Sequence, residues 1–223
     1  LSDVYFTMGN VAAAQEMAFE SNIGALCDGN PRMTQRLVQT NLIYGAYPVA
    51  EKYIAVLENT FYYKDWAKAQ RKFLYNDEAV ETDPLLGNMR RNLLAENHLI
   101  QMDGFDTDLI RLAEQNPSNK AAFHYAGVFY LLAKDVMRFK TLVETYYGTD
   151  LLPSLPVSFQ EAVIILSEKD PDYWKRFGVS ESIVGRFTDY KRQVLAGRNN
   201  SNALPGLMYR SYGDTYWYYY MFK

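Results

Sequence analysis

The chain has few residues of the types that perform acid–base, nucleophilic or metal chemistry, and their spacing forms no catalytic or metal-binding motif. Its two histidines, His98 and His124, stand in no metal-binding spacing such as H-E-x-x-H. The single cysteine, Cys27, precedes a turn-like run without a catalytic signature. We therefore expect no catalytic residue, no cofactor and no metal. The competing interpretation is a catalytic or metal-dependent lobe built around these three residues.

One acidic cluster, residues 103–108, invites a calcium interpretation because three aspartates alternate with other residues there. A calcium-binding EF-hand loop places oxygen ligands at alternate positions, then a glycine, then a distant glutamate. In this chain Gly104 precedes the alternating pair Asp106 and Asp108, and Glu114 falls on a predicted helix. The simpler interpretation is a helix N-cap followed by first-turn acids that favour the positive end of the helix.

Composition excludes some classes of protein. Hydrophobic residues make up 48% of the 223, so a sizeable core is available. The net charge is −3 and the 23 basic residues are scattered, whereas a nucleic-acid surface needs a concentrated basic patch. One cysteine excludes an internal disulfide. No apolar run approaches the roughly 20 residues needed to span a bilayer.

Three turns with a shared pattern of residues indicate the helices that would position any functional site. Met8-Gly9-Asn10-Val11 is followed by Ala14, Tyr44-Gly45-Ala46-Tyr47 is followed by Ala50, and Leu132-Ala133-Lys134-Asp135 follows an apolar run. Each lies between segments with apolar residues three and four positions apart, which is typical of helices. The sequence thus predicts an all-α fold of helical hairpins, with a helix at 11–23 in the first. Between the second and third hairpins it predicts a helix at 65–74, with Trp66 and Phe73 on one face, and a long helix from Asp83 to about Met102. Strand-like alternation occurs only at the extreme C-terminus. The second hairpin would bury the following residues: Leu37, Val38, Ala50, Ile54 and Leu57.

The hairpins resemble tetratricopeptide repeats over about residues 1–59 and 119–147. The residues that carry the resemblance are Gly9 with Ala14, Gly45 with Tyr47 and Ala50, and Ala126 with Phe129 and Ala133. The resemblance implies a superhelix with an extended concave surface. Members that bind a C-terminal carboxylate use lysine and asparagine on the first helix of each repeat. Here Gln35, Gln39, Phe123 and Gly127 occupy those positions, so the resemblance does not extend to that ligand.

The character of the chain changes at Thr149, where prolines interrupt the hairpin pattern. We expect a helical-repeat region at 1–148 and an irregular helical cap at 149–223, packed as one domain. The cap ends in an aromatic tail, where eight of the last fifteen residues are aromatic. Tyrosine and tryptophan combine apolar area with a polar end, which suits interfaces. The tail either folds back as a structural cap, which we favour, or forms an exposed platform for a glycan, a lipid surface or a protein.

The whole chain is also similar to a Bacteroidetes family of unknown function in which a multi-span membrane half precedes a soluble helical-repeat half. The similar segments are 130–135, Leu155-Pro156 with 159–162, and 215–220. Separately, if Gly9 closes a hairpin, Leu1 lies within a helix. We therefore expect this chain to be part of a longer, membrane-anchored protein.

These observations predict a non-catalytic interaction or scaffolding module that binds a protein or peptide and not nucleic acid. The alternative is a module that binds a glycan or lipid surface through the aromatic tail. The predicted surface has two parts. The inner face of the hairpins would contain Gln35, Gln39, Leu42, Ile43, Phe123, Gly127 and Tyr130. The tail would contribute Tyr209, Tyr212, Trp217 and Tyr219.

Overall fold

The prediction of an all-α fold is confirmed. A computed structural model describes residues 1–25, 29–94, 104–167, 170–199 and 202–223. The structure is 72% helical, and in these ranges it contains no strand. The extended pairing found there is a single bridge between Tyr147 and Leu152.

The chain divides into two compact units, Leu1–Tyr125 and Ala126–Lys223. The division falls inside one helix, Lys120–Leu132. The predicted domain boundary at 148/149 is set where the composition of the chain changes, at Thr149. That boundary stays a prediction.

The first unit is a succession of helices. Its helices are α1 (Ser2–Thr7), α2 (Val11–Ile23), α3 (Pro31–Ile43), α4 (Tyr47–Glu58), α5 (Lys64–Gln70), α6 (Asp77–Thr82), α7 (Leu86–Arg90), α8 (Phe105–Gln115) and the first part of α9 (Lys120–Leu132). A 3-10 turn, Arg71–Phe73, extends α5. Helices α1 to α4 each pack on the next. The predicted core of the second hairpin is confirmed, since all five of its residues are buried.

The three turns that share one spacing also share one geometry. The middle residue of each has a positive φ, at 85° for Gly9, 72° for Gly45 and 55° for Lys134. Its N–H bonds a carbonyl three residues back, and the next N–H bonds a carbonyl five residues back, with N–O distances of 2.8–3.1 Å. This is the Schellman arrangement, which satisfies carbonyls at a helix end. Gly178 (φ 64°) follows the later helix Pro171–Arg176 and ends it in the same way.

An arginine from a distant helix completes the end of α3. The Arg90 guanidinium donates from Nε to the main-chain oxygen of Ile43 and from Nη2 to that of Leu42, both at 3.0 Å. Its Nη1 donates to the Asp77 carboxylate at 2.9 Å, and the Tyr47 hydroxyl donates to the same oxygen at 2.6 Å. Cations at a helix C-terminus satisfy carbonyls that the helix itself leaves unpaired. These bonds join α3, α4, α6 and α7.

The second unit surrounds an aromatic core. Its helices are the remainder of α9, α10 (Val136–Tyr146), α11 (Val157–Leu166), α12 (Pro171–Arg176), α13 (Glu181–Gly197), α14 (Leu204–Tyr212) and α15 (Tyr216–Phe222). The core contains Ile164, Phe187, Tyr190, Leu204, Met208, Tyr212, Trp217 and Tyr218. The side chain of Thr215 accepts from the N–H of Tyr218 and begins α15. The tail, where the sequence suggested strand-like alternation, is therefore helical.

One further prediction is wrong. Apolar spacing predicted a long helix from Asp83 to about Met102, but α7 ends at Arg90. The cause is Asn92, whose buried side chain accepts a hydrogen bond from Asn116 in the segment before α9. This contact accompanies a turn at residues 91 and 92, and the part of the prediction beyond residue 94 lies outside the described residues.

Candidate interaction surfaces

The residues with catalytic or metal-binding potential do not form a described site. His124 is half-buried on α9, where burial lowers its pKa and the charge of Lys120 lowers it further. Cys27, His98 and Asp103 lie outside the described residues. Asp106 and Asp108 lie in the first turn of α8, where acids suit the helix dipole. Within the described ranges no group of three or more His, Cys, Asp or Glu side chains could hold a metal.

The four predicted residues of the second hairpin fall into two pairs. Gln35 and Gln39 are half-buried on α3, and Gln39 accepts a hydrogen bond from Arg36 at 2.9 Å. Leu42 and Ile43 are buried in the core of the unit. The glutamines are therefore accessible to a ligand, whereas the two aliphatic side chains serve packing.

Gln39 lines a cleft of about 230 Å³ in the first unit. The other lining residues are Trp66, Ala69, Gln70, Lys72, Phe73, Asp83, Leu85 and Leu86. Asp83 shapes one wall, because its carboxylate accepts the N–H groups of Leu85 and Leu86 at 3.0 and 2.9 Å. Trp66 and Phe73 were predicted to share a helix face, but nothing in the sequence connected them to Gln39. The cleft combines an indole ring, aliphatic groups and amides.

The predicted residues of α9 are buried. Phe123, in the first unit, is fully enclosed, and Gly127 and Tyr130 are buried in the second. Gly127 allows the Phe159 ring to approach the helix closely, since a Cβ at this position would overlap it. Helix α9 exposes four other large side chains in part: Tyr125, Val128, Phe129 and Leu132.

The four predicted aromatics of the tail do not lie on one surface. Tyr212 and Trp217 are in the core of the second unit, and Tyr209 is 61% exposed. Tyr219 is half-buried, and its hydroxyl donates to the main-chain oxygen of Leu132 at 2.7 Å. The tail is thus mostly a packing element of its own unit.

A buried carboxylate fastens this tail. Glu161 on α11 is 4% exposed, and its Oε2 accepts the N–H of Tyr216, the first residue of α15, at 2.7 Å. Burial raises the pKa of Glu161, and the Asp214 charge acts in the same direction. The Tyr216 N–H and the Arg186 charge oppose this shift. The carboxyl group of Glu161 therefore binds the start of α15 in an environment that disfavours the charged form of the carboxyl group.

A shallow groove of about 720 Å³ runs beside the tail. It is lined by Arg186, Tyr209, Arg210, Ser211, Gly213 and Asp214. Arg186 is engaged there, because its Nη2 donates to the Asp214 carboxylate at 2.7 Å and to the Ser211 carbonyl at 2.9 Å. Of the predicted tail residues, Tyr209 is the one that lines this groove.

No helix in the described part of the chain is long and apolar enough to cross a bilayer. No curated protein and no solved structure is significantly similar to the chain. A family does match, and it covers residues 1–223. The chain therefore belongs to DUF6057, a family of unknown function.

Proposed function

We propose that this chain is a non-catalytic protein–protein interaction module built from tetratricopeptide-like hairpins, and that it binds an extended segment of a partner in the cleft at Gln39. The shared Schellman geometry at Gly9, Gly45 and Lys134 supports a common hairpin unit. The superhelical arrangement of those hairpins is part of the proposal.

The cleft at Gln39 is the observation that carries the proposal. Gln39 lies on α3, the first helix of its hairpin, where the resemblance places ligand contacts. Trp66 and Leu85 offer apolar area for a partner side chain, and Leu85 is 43% exposed. Peptide-binding grooves combine such pockets with polar groups that contact the peptide backbone. The amide of Gln39 supplies such a group, and Lys72 favours an acidic residue in the ligand.

Selection of random peptides displayed on phage against the full chain tests this function. We expect an enriched consensus with an apolar residue next to an acidic one. Binding of the selected peptides should fall at least about tenfold in Gln39→Arg, which fills the cleft with a longer cation, since buried interface groups commonly contribute that much. The control is Gln15→Arg on α2, also half-buried and outside the cleft. Absence of a consensus, or equal loss in both variants, would contradict the proposal.

We propose further that the natural protein is membrane-anchored and presents this chain as a soluble lobe, on the basis of the resemblance to the Bacteroidetes family. Fractionation of cells that produce the natural protein tests this part. We expect the natural protein in the membrane fraction, released only by detergent. Recovery in the soluble fraction would contradict it.

A further inference from the structure

Two large aromatic side chains project from the turn between α4 and α5. Phe61 is 91% exposed and Tyr62 is 88% exposed, and they contact each other edge to face with ring centroids 5.1 Å apart. Single exposed apolar residues are common on proteins and need no explanation. An adjacent pair at this exposure, at the tip of a hairpin, is different because water contacts nearly all of both rings.

The turn holds these two rings outward. The Thr60 hydroxyl donates to the carbonyl of Leu57 at 2.7 Å and accepts the N–H of Tyr63 at 3.2 Å. Leu57 is buried, and Tyr63 packs against the core of the first unit. The residues before and after the pair are thus fixed, and Phe61 and Tyr62 form a structured tip.

The charges around the tip are mainly basic. Lys64 and Lys68 are exposed on α5, with one acid, Asp65, between them. In the part of the chain that the structure describes, neither lysine forms an ion pair. The nearby Glu58 is neutralised by Arg71, which binds both of its carboxylate oxygens at 2.7 and 2.9 Å.

Three acidic residues of this unit lie on α6, near the other end of α4. Tyr47, the first residue of α4, bonds Asp77 on α6, a helix that also carries Glu78 and Glu81. Because α4 has 12 residues, it separates these acids from the tip by about 18 Å. The separation exceeds the Debye length of roughly 10 Å at 0.1 M salt, so the acids do not cancel the field of the lysines.

We propose that the tip, defined as Phe61 and Tyr62 with Lys64 and Lys68, binds the surface of an anionic lipid bilayer. The two rings would enter the headgroup region, where amphipathic aromatics are favoured, and the lysines would face anionic headgroups. One apolar anchor with a basic patch gives reversible attachment, not insertion. This surface is separate from the cleft at Gln39, and the proposal does not depend on peptide binding.

Sedimentation of the full chain with vesicles tests the proposal. We expect binding to phosphatidylcholine vesicles that contain phosphatidylglycerol, little binding to phosphatidylcholine alone, and loss of binding as salt rises. The double variant Phe61→Ser/Tyr62→Ser should bind at least about tenfold more weakly, because each apolar group removed lowers partitioning. Lys64→Glu/Lys68→Glu should weaken binding similarly.

Matched controls keep the outcome clear. Tyr209→Ser removes an aromatic side chain that is 61% exposed from the other unit, and this variant should bind as the unchanged chain does. Circular dichroism should show unchanged melting for Phe61→Ser/Tyr62→Ser, because both side chains are outside the core. A Phe61→Trp variant should show added quenching by brominated lipid.

Several results would overturn the proposal. These are failure to bind anionic vesicles at low salt, equal binding to neutral vesicles, or binding that the Phe61→Ser/Tyr62→Ser variant leaves unchanged. A dimer seen by light scattering that this variant dissociates would assign the tip to a second copy of the chain instead.

Discussion

The indole Nε1 of Trp217 donates a hydrogen bond to the main-chain oxygen of Glu161 at 2.8 Å. The side chain of the same glutamate accepts the N–H of Tyr216 at 2.7 Å. One residue of α11 thus binds the first turn of α15 through both its backbone and its carboxyl group. The aromatic tail is held by specific polar bonds as well as by burial.

Two substitutions of Trp217 should destabilise the second unit to different extents. Trp217→Phe keeps most of the ring but removes the bond to Glu161, and should lower the free energy of unfolding by about 1–2 kcal/mol. Trp217→Ala also leaves a cavity and should cost about 3–5 kcal/mol. Urea unfolding followed by far-UV circular dichroism measures both. Tyr209→Ala, at an exposed position, should change little, and an equal cost there would contradict this account.

The stability of the second unit should depend on the ionisation of Glu161. Burial raises its folded-state pKa above its ordinary value of 4.5. The stabilisation from the protonated form is therefore fully present below that value and is lost as pH rises through the folded pKa. Glu161→Gln keeps an oxygen that accepts the Tyr216 N–H but carries no charge. Relative to the unchanged chain, this variant should gain stability as pH rises.

Melting temperatures of both proteins, measured from acid to neutral pH, test this dependence. Arg186 and Asp214 also act on the Glu161 charge, in opposite directions, and the difference between the two proteins includes these effects together with that of burial. Glu20→Gln, at an exposed position on α2, is the control. A difference between Glu161→Gln and the unchanged chain that is constant with pH would show that burial does not shift this carboxyl group.

The turn glycines should respond to alanine with a sign opposite to that of a helix glycine. Gly45 has a positive φ and open space around its Cβ position, so Gly45→Ala tests conformation alone and should cost about 1–2 kcal/mol. Gly45→Asn should cost less, because asparagine tolerates this conformation. Gly185 lies inside α13, also with open space, and Gly185→Ala should stabilise by about 0.5–1 kcal/mol. Chemical denaturation gives the three values, and the same sign for both alanine variants would refute the assignment of these turns.

Removal of the Arg90 guanidinium should destabilise the first unit. Arg90→Met preserves much of the aliphatic stem but leaves the carbonyls of Leu42 and Ile43 without this donor, and should cost about 2–4 kcal/mol. Arg90→Lys should recover only part, since an ammonium cannot reproduce the planar set of donors. Arg91→Met, at the exposed neighbouring position, should stay within about 0.5 kcal/mol. Urea unfolding compares the three variants.

Much of the helical framework follows from local sequence. Helix α2 spans Val11–Ile23 as predicted, because Asn10 accepts the N–H of Ala13 at its start. Asp170 likewise caps α12 by accepting the N–H groups of Asp172 and Tyr173. These signals act within one turn of helix, so a single segment contains all the information that they need.

The parts that sequence could not predict depend on distant contacts or on uniform composition. Arg90 reaches back to Leu42 and Ile43, and no local pattern indicates that pairing. Helix α9 is apolar around most of its circumference, so periodicity could not indicate that Phe123 and Tyr130 face the core while Leu132 is exposed. The cleft at Gln39 depends on the fold of several segments for the same reason.

The hydrogen bonds of Arg90 also determine when the α3/α4 hairpin can complete its hydrogen bonding during synthesis of the chain. The ribosome releases the α3/α4 hairpin before it reaches Arg90. In that interval the carbonyl of Leu42 has only the Gly45 N–H of its own turn as a protein donor, and the carbonyl of Ile43 has only water or transient donors. The hairpin thus reaches its final hydrogen bonding only when α6 and α7 have been translated. Nascent chains that end before Arg90 should therefore be more sensitive to protease at the end of α3 than chains that extend beyond it.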